Sequence, residues 1–145
     1  MTDRVIFYAD DDQDDLEYFR KAVSDIKTSV VELHTHNGGD LLIYALENPP
    51  PIPSVVFLDL NMPGLNGFEV LASLRKNDRH RKLPIIVFST SSDEATIEKS
   101  WQLGASYYLP KSSTYSSLKR SIEHILSLDW ENFTPTKDNF LYRNN

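Results

Sequence analysis

No cysteine occurs among the 145 residues, so disulfides and thiolate metal sites are excluded. No apolar run is long enough to cross a bilayer and no signal peptide opens the chain, so the expected location is cytoplasmic. Basic charge is scarce too: 15 Lys and Arg stand against 21 Asp and Glu, a net charge of −6. Nucleic acid is bound by basic patches that neutralise phosphates, so direct nucleic-acid binding is not expected. Repeats and low-complexity tracts are lacking as well. What is present is an ordinary globular composition, 40% hydrophobic, in a chain long enough for one domain with one core.

The most informative stretch is Val55-Val56-Phe57-Leu58-Asp59-Leu60-Asn61-Met62-Pro63-Gly64-Leu65-Asn66-Gly67. A short unbroken apolar run suits a strand buried on both faces of a parallel sheet. Asp59 falls where that strand ends. In open α/β sheets ligands bind beyond the carboxyl ends of the strands, which makes Asp59 the candidate reactive group.

The rest of the chain supplies its surroundings. Arg4 to Ala9 reads as a buried strand that stops at an acidic run, Asp10-Asp11-Asp12-Gln13-Asp14-Asp15. Leu16, Phe19 and Val23 then recur at helical spacing to about Ile26, with Asp12 as N-cap. Ser29 to Thr35 alternates as a second strand, Asp40 to Glu47 forms a short helix, and the proline-rich 48–53 is a loop. After the Asp59 strand, Asn66 or Gly67 starts a helix ending near Asn77, followed by the basic loop Arg79 to Lys82. Leu83 to Phe88 is a fourth strand ending at Ser89. Asp93 caps a helix that Gly104 closes. Ser106 to Pro110 is a last strand followed by Lys111, and Ser113 or Thr114 caps a final helix. Residues 1–128 thus form one domain. Residues 129–145 form a C-terminal extension rather than a separate output domain. The alternation predicts an α/β fold: a doubly wound parallel sheet of five strands, order 2-1-3-4-5, with helices on both faces. Pro110 cannot donate to a ladder, which puts the last strand at an edge.

In such a sheet the strand ends share one rim, so Asp10, Asp11, Asp59, Ser89 and Lys111 converge. Carboxylates about 4 Å apart repel by roughly 4 kcal/mol per pair at an effective dielectric near 20. A divalent cation removes that cost, and magnesium suits carboxylates combined with phosphate. A carboxylate beside magnesium can act as a nucleophile and form an aspartyl phosphate, with Lys111 and the metal meeting the phosphoryl charge.

These motifs, from about Arg4 to Leu128, resemble the receiver domains of two-component response regulators, of the flavodoxin-like class. They look most like stand-alone receivers, some of which partner phytochrome-type kinases. The resemblance implies that Asp59 accepts a phosphoryl group from a sensor histidine kinase or phosphotransfer protein. It implies that Asp10, Asp11 and Asp59 hold magnesium together with the Asn61 carbonyl, and that Ser89 and Tyr108 are the switch positions. The chain would then be no enzyme beyond its own phosphorylation and dephosphorylation, and its output would pass to an unknown protein. Ser112 departs from the proline usual after the lysine, where the peptide bond is often cis. A cis bond before serine would cost about 3 kcal/mol.

Two rivals stand beside this reading. An aspartyl-phosphate phosphohydrolase wants a second acid two residues after the nucleophile, where this chain has Asn61. A phosphate-independent pseudo-receiver would not need the acids and Lys111. His34 and His36 share one strand face and read as surface histidines before a metal pair. In the extension, Trp130, Phe133, Phe140, Leu141 and Tyr142 need cover. A two-fold homodimer through the last strand, its flanking helices and the tail is favoured slightly over folding back. On phosphorylation Tyr108 is expected to turn inward.

Overall fold

The computed structural model describes residues 4–143. The strands are β1 (Arg4–Ala9), β2 (Val31–His36), β3 (Val55–Leu58), β4 (Ile85–Ser89) and β5 (Tyr107–Pro110). The helices are α1 (Gln13–Ser24), α2 (Gly39–Glu47), α3 (Gly67–Lys76), α4 (Glu94–Gln102) and α5 (Tyr115–Ser127). All pairings are parallel and the order is β2-β1-β3-β4-β5, as the alternation predicts. The second strand begins at Val31 rather than Ser29. The basic loop contains a 3-10 turn, Asp78–His80, whose His80 is buried rather than solvated.

Alternation along the strands sends side chains to two cores. On one face Ile6, Tyr8, Val55, Phe57, Ile86 and Phe88 pack with Leu16 and Phe19 of α1 and Leu118 and Ile122 of α5. On the other Phe7, Val56, Leu58, Ile85 and Val87 pack with Leu42 of α2 and Val70 and Leu71 of α3. The helices start where their caps allow. Asp12 accepts from the N–H groups of Asp14 and Asp15, Asn66 and Glu69 form a reciprocal capping box, and Thr114 caps α5.

Beyond α5 the chain returns along the outer edge of β5. The Tyr108 N–H donates to the Phe140 carbonyl (2.8 Å), and the Tyr142 N–H donates to the Tyr108 carbonyl (2.9 Å). Together they form an isolated parallel bridge between Tyr108 and Leu141. Phe140 is buried and packs with Trp101 and Tyr108. Trp130, Phe133 and Tyr142 surround Tyr107 on the opposite face. The tail's aromatic residues are therefore covered by their own domain. This is the arrangement that the sequence favours less than a dimer. β5 is the last strand of the sheet, but its outer edge is not bare. The extension's final residues, 144 and 145, lie outside the described part, as do residues 1–3 of the domain.

Candidate functional site

Main-chain hydrogen bonds run on past the strand ends and hold the rim residues in place. Asp10 N–H donates to the His36 carbonyl (3.0 Å), Asp59 N–H to that of Ala9 (3.0 Å) and Lys111 N–H to that of Ser89 (2.7 Å). The five rim residues picked from the sequence thus sit on four neighbouring strand ends. Gly67 fixes Asp59 from behind, because a Cβ at that position would lie 2.4 Å from the Asp59 carbonyl oxygen. Only glycine permits so close an approach of α3 to the strand end.

Asp10 is fully buried and both oxygens of its carboxylate accept hydrogen bonds. Oδ2 accepts from the Tyr8 hydroxyl (2.6 Å) and the Lys111 ammonium (2.8 Å), and Oδ1 accepts from the Asp12 N–H (3.0 Å). Asp59 is 4% exposed, whereas Asp11 is open to solvent. Each of these three acids offers an oxygen within 4.8 Å of the others. Burial, the largest influence, lifts Asp59 from 3.8 to about 6. The Lys111 charge opposes this, the Asp10 charge adds to it, and the Asn61 N–H offsets part of it. Asn61 itself is exposed. An oxygen-only set of crowded carboxylates, one of them held above its usual pKa by burial, is chemically suited to a hard divalent cation.

Lys111 Nζ lies 2.8 Å from Asp10, 2.9 Å from Asp15 and 3.4 Å from Asp59. Burial would lower its pKa, but hydrogen bonds to Asp10 and Asp15 and the charges of Asp59 and Asp10 outweigh burial and raise it. The Lys111–Ser112 bond is trans. Among the described residues, cis bonds occur at Pro49–Pro50 and Pro50–Pro51.

Ser89 is buried, and its hydroxyl accepts from the Ser91 N–H (3.2 Å). The Tyr108 hydroxyl donates to the Ser91 carbonyl (2.8 Å). The Tyr108 ring is fully buried. His34 and His36 both pack on Phe7, and His34 Nε2 meets Glu32 at 2.6 Å.

Two site residues escaped the sequence analysis. Tyr8 lies two residues before Asp10, on the same face by strand alternation. Asp15 is the third residue of α1 and faces Lys111 from the first turn. Period and cap position could have singled out both, but neither signal says that a side chain reaches its partner.

The description of the response regulator receiver domain fits residues 6–123. The chain is 30% identical over 101 residues to the probable methanogenesis regulatory protein FilR2 of Methanothrix harundinacea, covering 70% of this chain and 59% of that protein. It is 34% identical over 84 residues to response regulator Rcp1 of Synechocystis sp., covering 58% of this chain and 57% of that one. The matches thus span less than two thirds of either relative's length. The phosphorylated cyanobacterial phytochrome response regulator RcpA superposes with a TM-score of 0.78 at 27% identity, covering 90% of this chain and 96% of RcpA. The Mn2+-bound form of Rcp1 superposes with a TM-score of 0.76 at 28% identity, covering 92% and 99%. Among the described residues no helix is long and apolar enough to cross a membrane. With the sheet order, the acidic rim and the match over residues 6–123 in agreement, the chain belongs to the response regulator receiver domain family of two-component signalling.

Proposed function

We propose that Asp59 accepts a phosphoryl group from a sensor histidine kinase or phosphotransfer protein in the cytoplasm, with magnesium bound beside it, and that the chain relays this event through protein contacts. The observation that carries the reading is the buried Asp59 carboxylate, titrating near 6 and facing both an ammonium and two further acids. At neutral pH it is mostly ionised. A carboxylate oxygen can then attack the donor phosphorus while the P–N bond of a phosphohistidine breaks and the ring nitrogen keeps the bonding pair. Lys111 stands where it can meet the transferred oxygens, and the Ser89 hydroxyl can donate to one of them. Asp10, Asp11 and Asp59 would hold the metal with the Asn61 carbonyl. The occupied oxygens of Asp10 favour contact through water. A bound magnesium supplies positive charge to phosphoryl oxygens and offsets repulsion among the carboxylates.

The relay in this reading begins when Ser89 moves towards the phosphoryl group. That movement disturbs the Ser91 segment, to which the Tyr108 hydroxyl is bonded. The face built by β5, α4, α5 and the tail is then where an output protein or a second copy binds. The chain acts on no substrate other than its own aspartyl phosphate.

Incubation with acetyl phosphate and magnesium, followed by intact mass measurement, tests the proposal. One added phosphoryl group is expected on the wild-type chain and none on Asp59→Asn. Undiminished labelling of that variant overturns the assignment.

A further inference from the structure

Lys111 has three N–H donors and three carboxylate neighbours. The shorter contacts are to Asp10 and Asp15, at 2.8 and 2.9 Å, and the longest is to Asp59, at 3.4 Å. Asp10 and Asp59 belong to the proposed metal set. Asp15 does not, since it is absent from the group of acids whose oxygens lie within 4.8 Å of one another. We infer that Asp15 is a positioning residue that competes for Lys111, holding the ammonium back towards α1 and limiting what Lys111 can give to a phosphoryl group on Asp59. The inference rests on the phosphoacceptor reading of Asp59 and adds a restraint to it.

The restraint is stiff at one end. The Asp15 N–H is fixed by the Asp12 side chain at 3.1 Å, and the next residue, Leu16, is buried in the core with Phe19. Asp15 therefore cannot follow the lysine far. Lys111 is flexible but enclosed, its side chain 12% exposed. An ammonium drawn to one fixed anion gives less of its charge and fewer of its donors to another. When a phosphoryl group occupies Asp59, Lys111 has either to leave Asp15 or to share itself. In both cases the contact with Asp15 weighs against the phosphorylated form. It also weighs against any analogue that seeks the same donors.

The test uses beryllofluoride with magnesium as a stand-in for the phosphoryl group, with binding followed on the full chain by NMR or intrinsic fluorescence. Asp15→Asn should bind it about tenfold more tightly, the scale of one charge-assisted hydrogen bond at its weak end. Asp15→Glu keeps a carboxylate within reach and should return towards wild type. Asp14→Asn removes the same charge from the same helical turn, at an exposed residue that Lys111 does not touch, and should match wild type. Thermal melts confirm that each variant is folded. Unchanged or weaker binding by Asp15→Asn overturns the inference. So does an equal gain in Asp14→Asn, which would make the effect one of general charge. Both outcomes leave the phosphoacceptor reading standing if the wild type is still labelled on Asp59. If the wild type neither binds beryllofluoride nor takes label from acetyl phosphate, the two readings fall together.

Discussion

The rim beyond the strand ends and the outer edge of β5 are both well-buried places, and burial acts on them in opposite directions. At the rim it encloses charge: Asp10 and Asp59 lie at 0% and 4% exposure with a single lysine between them. For Asp59, desolvation is a cost that the Lys111 charge only partly offsets. At the edge it encloses aromatic surface. Phe140 is 3% exposed, and Tyr107 meets three rings of the tail. Burial there is favourable in proportion to the apolar area removed from water. The molecule thus keeps an electrostatically costly region for chemistry beside an apolar seam that helps hold the domain together. Substitutions in the two places should differ in sign as well as size.

The largest effect is expected at the seam. Phe140→Ala removes a buried ring that touches Trp101 and Tyr108 and should cost about 3–5 kcal/mol in urea unfolding. A loss below about 1 kcal/mol would mean that the tail is not seated there in solution, and the contrast would collapse. At the rim the sign reverses. Asp59→Asn should stabilise the metal-free chain by about 1–2 kcal/mol at neutral pH, after allowing for the lost contact with Lys111. The folded-state value of Asp59 is raised from 3.8 to about 6, so the unfolded chain releases this proton at lower pH than the folded one. The cost of Asp59 is accordingly absent below about pH 4, grows as the pH rises to about 6 and is complete above that. The gain from Asp59→Asn should follow the same window, and equal stability of variant and wild type at pH 4 and pH 7.5 would contradict it. The smallest effect belongs to the residue shared by both regions. Tyr108→Phe loses the hydrogen bond to the Ser91 carbonyl but keeps both main-chain bonds to the tail, so about 1 kcal/mol is expected. A loss as large as that of Phe140→Ala would show that the phenol, rather than the ring and backbone, holds the tail.

Legibility in the sequence divides along similar lines. The sheet order, the buried run Val55–Leu58, the Asp12 cap and the convergence of Asp10, Asp59, Ser89 and Lys111 all follow from period, cap chemistry and the rule that parallel strands share a rim. The contacts of Tyr8 with Asp10 and of Asp15 with Lys111 do not. They depend on side-chain reach between residues 96 apart in the second case, or on a rotamer in the first. The tail is less legible still. It forms a single bridge at Tyr108, with no run of alternating residues to announce a strand. Its aromatic residues state a need for cover without saying which surface supplies it. The inward position of Tyr108 is a packing outcome set in part by Phe140, 32 residues away, and local pattern carries no trace of it.

The tail bridge also bears on whether the sheet could extend from one molecule to the next. Growth of a sheet from molecule to molecule requires two bare edges, one to receive a strand and one to offer the next. Among the described residues, β2 has a neighbour only on the β1 side. On β5, Tyr108 gives both of its main-chain groups to the tail, and Pro110, on the same side by alternation, has no N–H to give. With the tail seated, one end of the sheet is closed. Strand addition through β2 then joins two molecules and stops, so the last stretch of the chain serves as a terminator that must be lifted before a fibre can propagate.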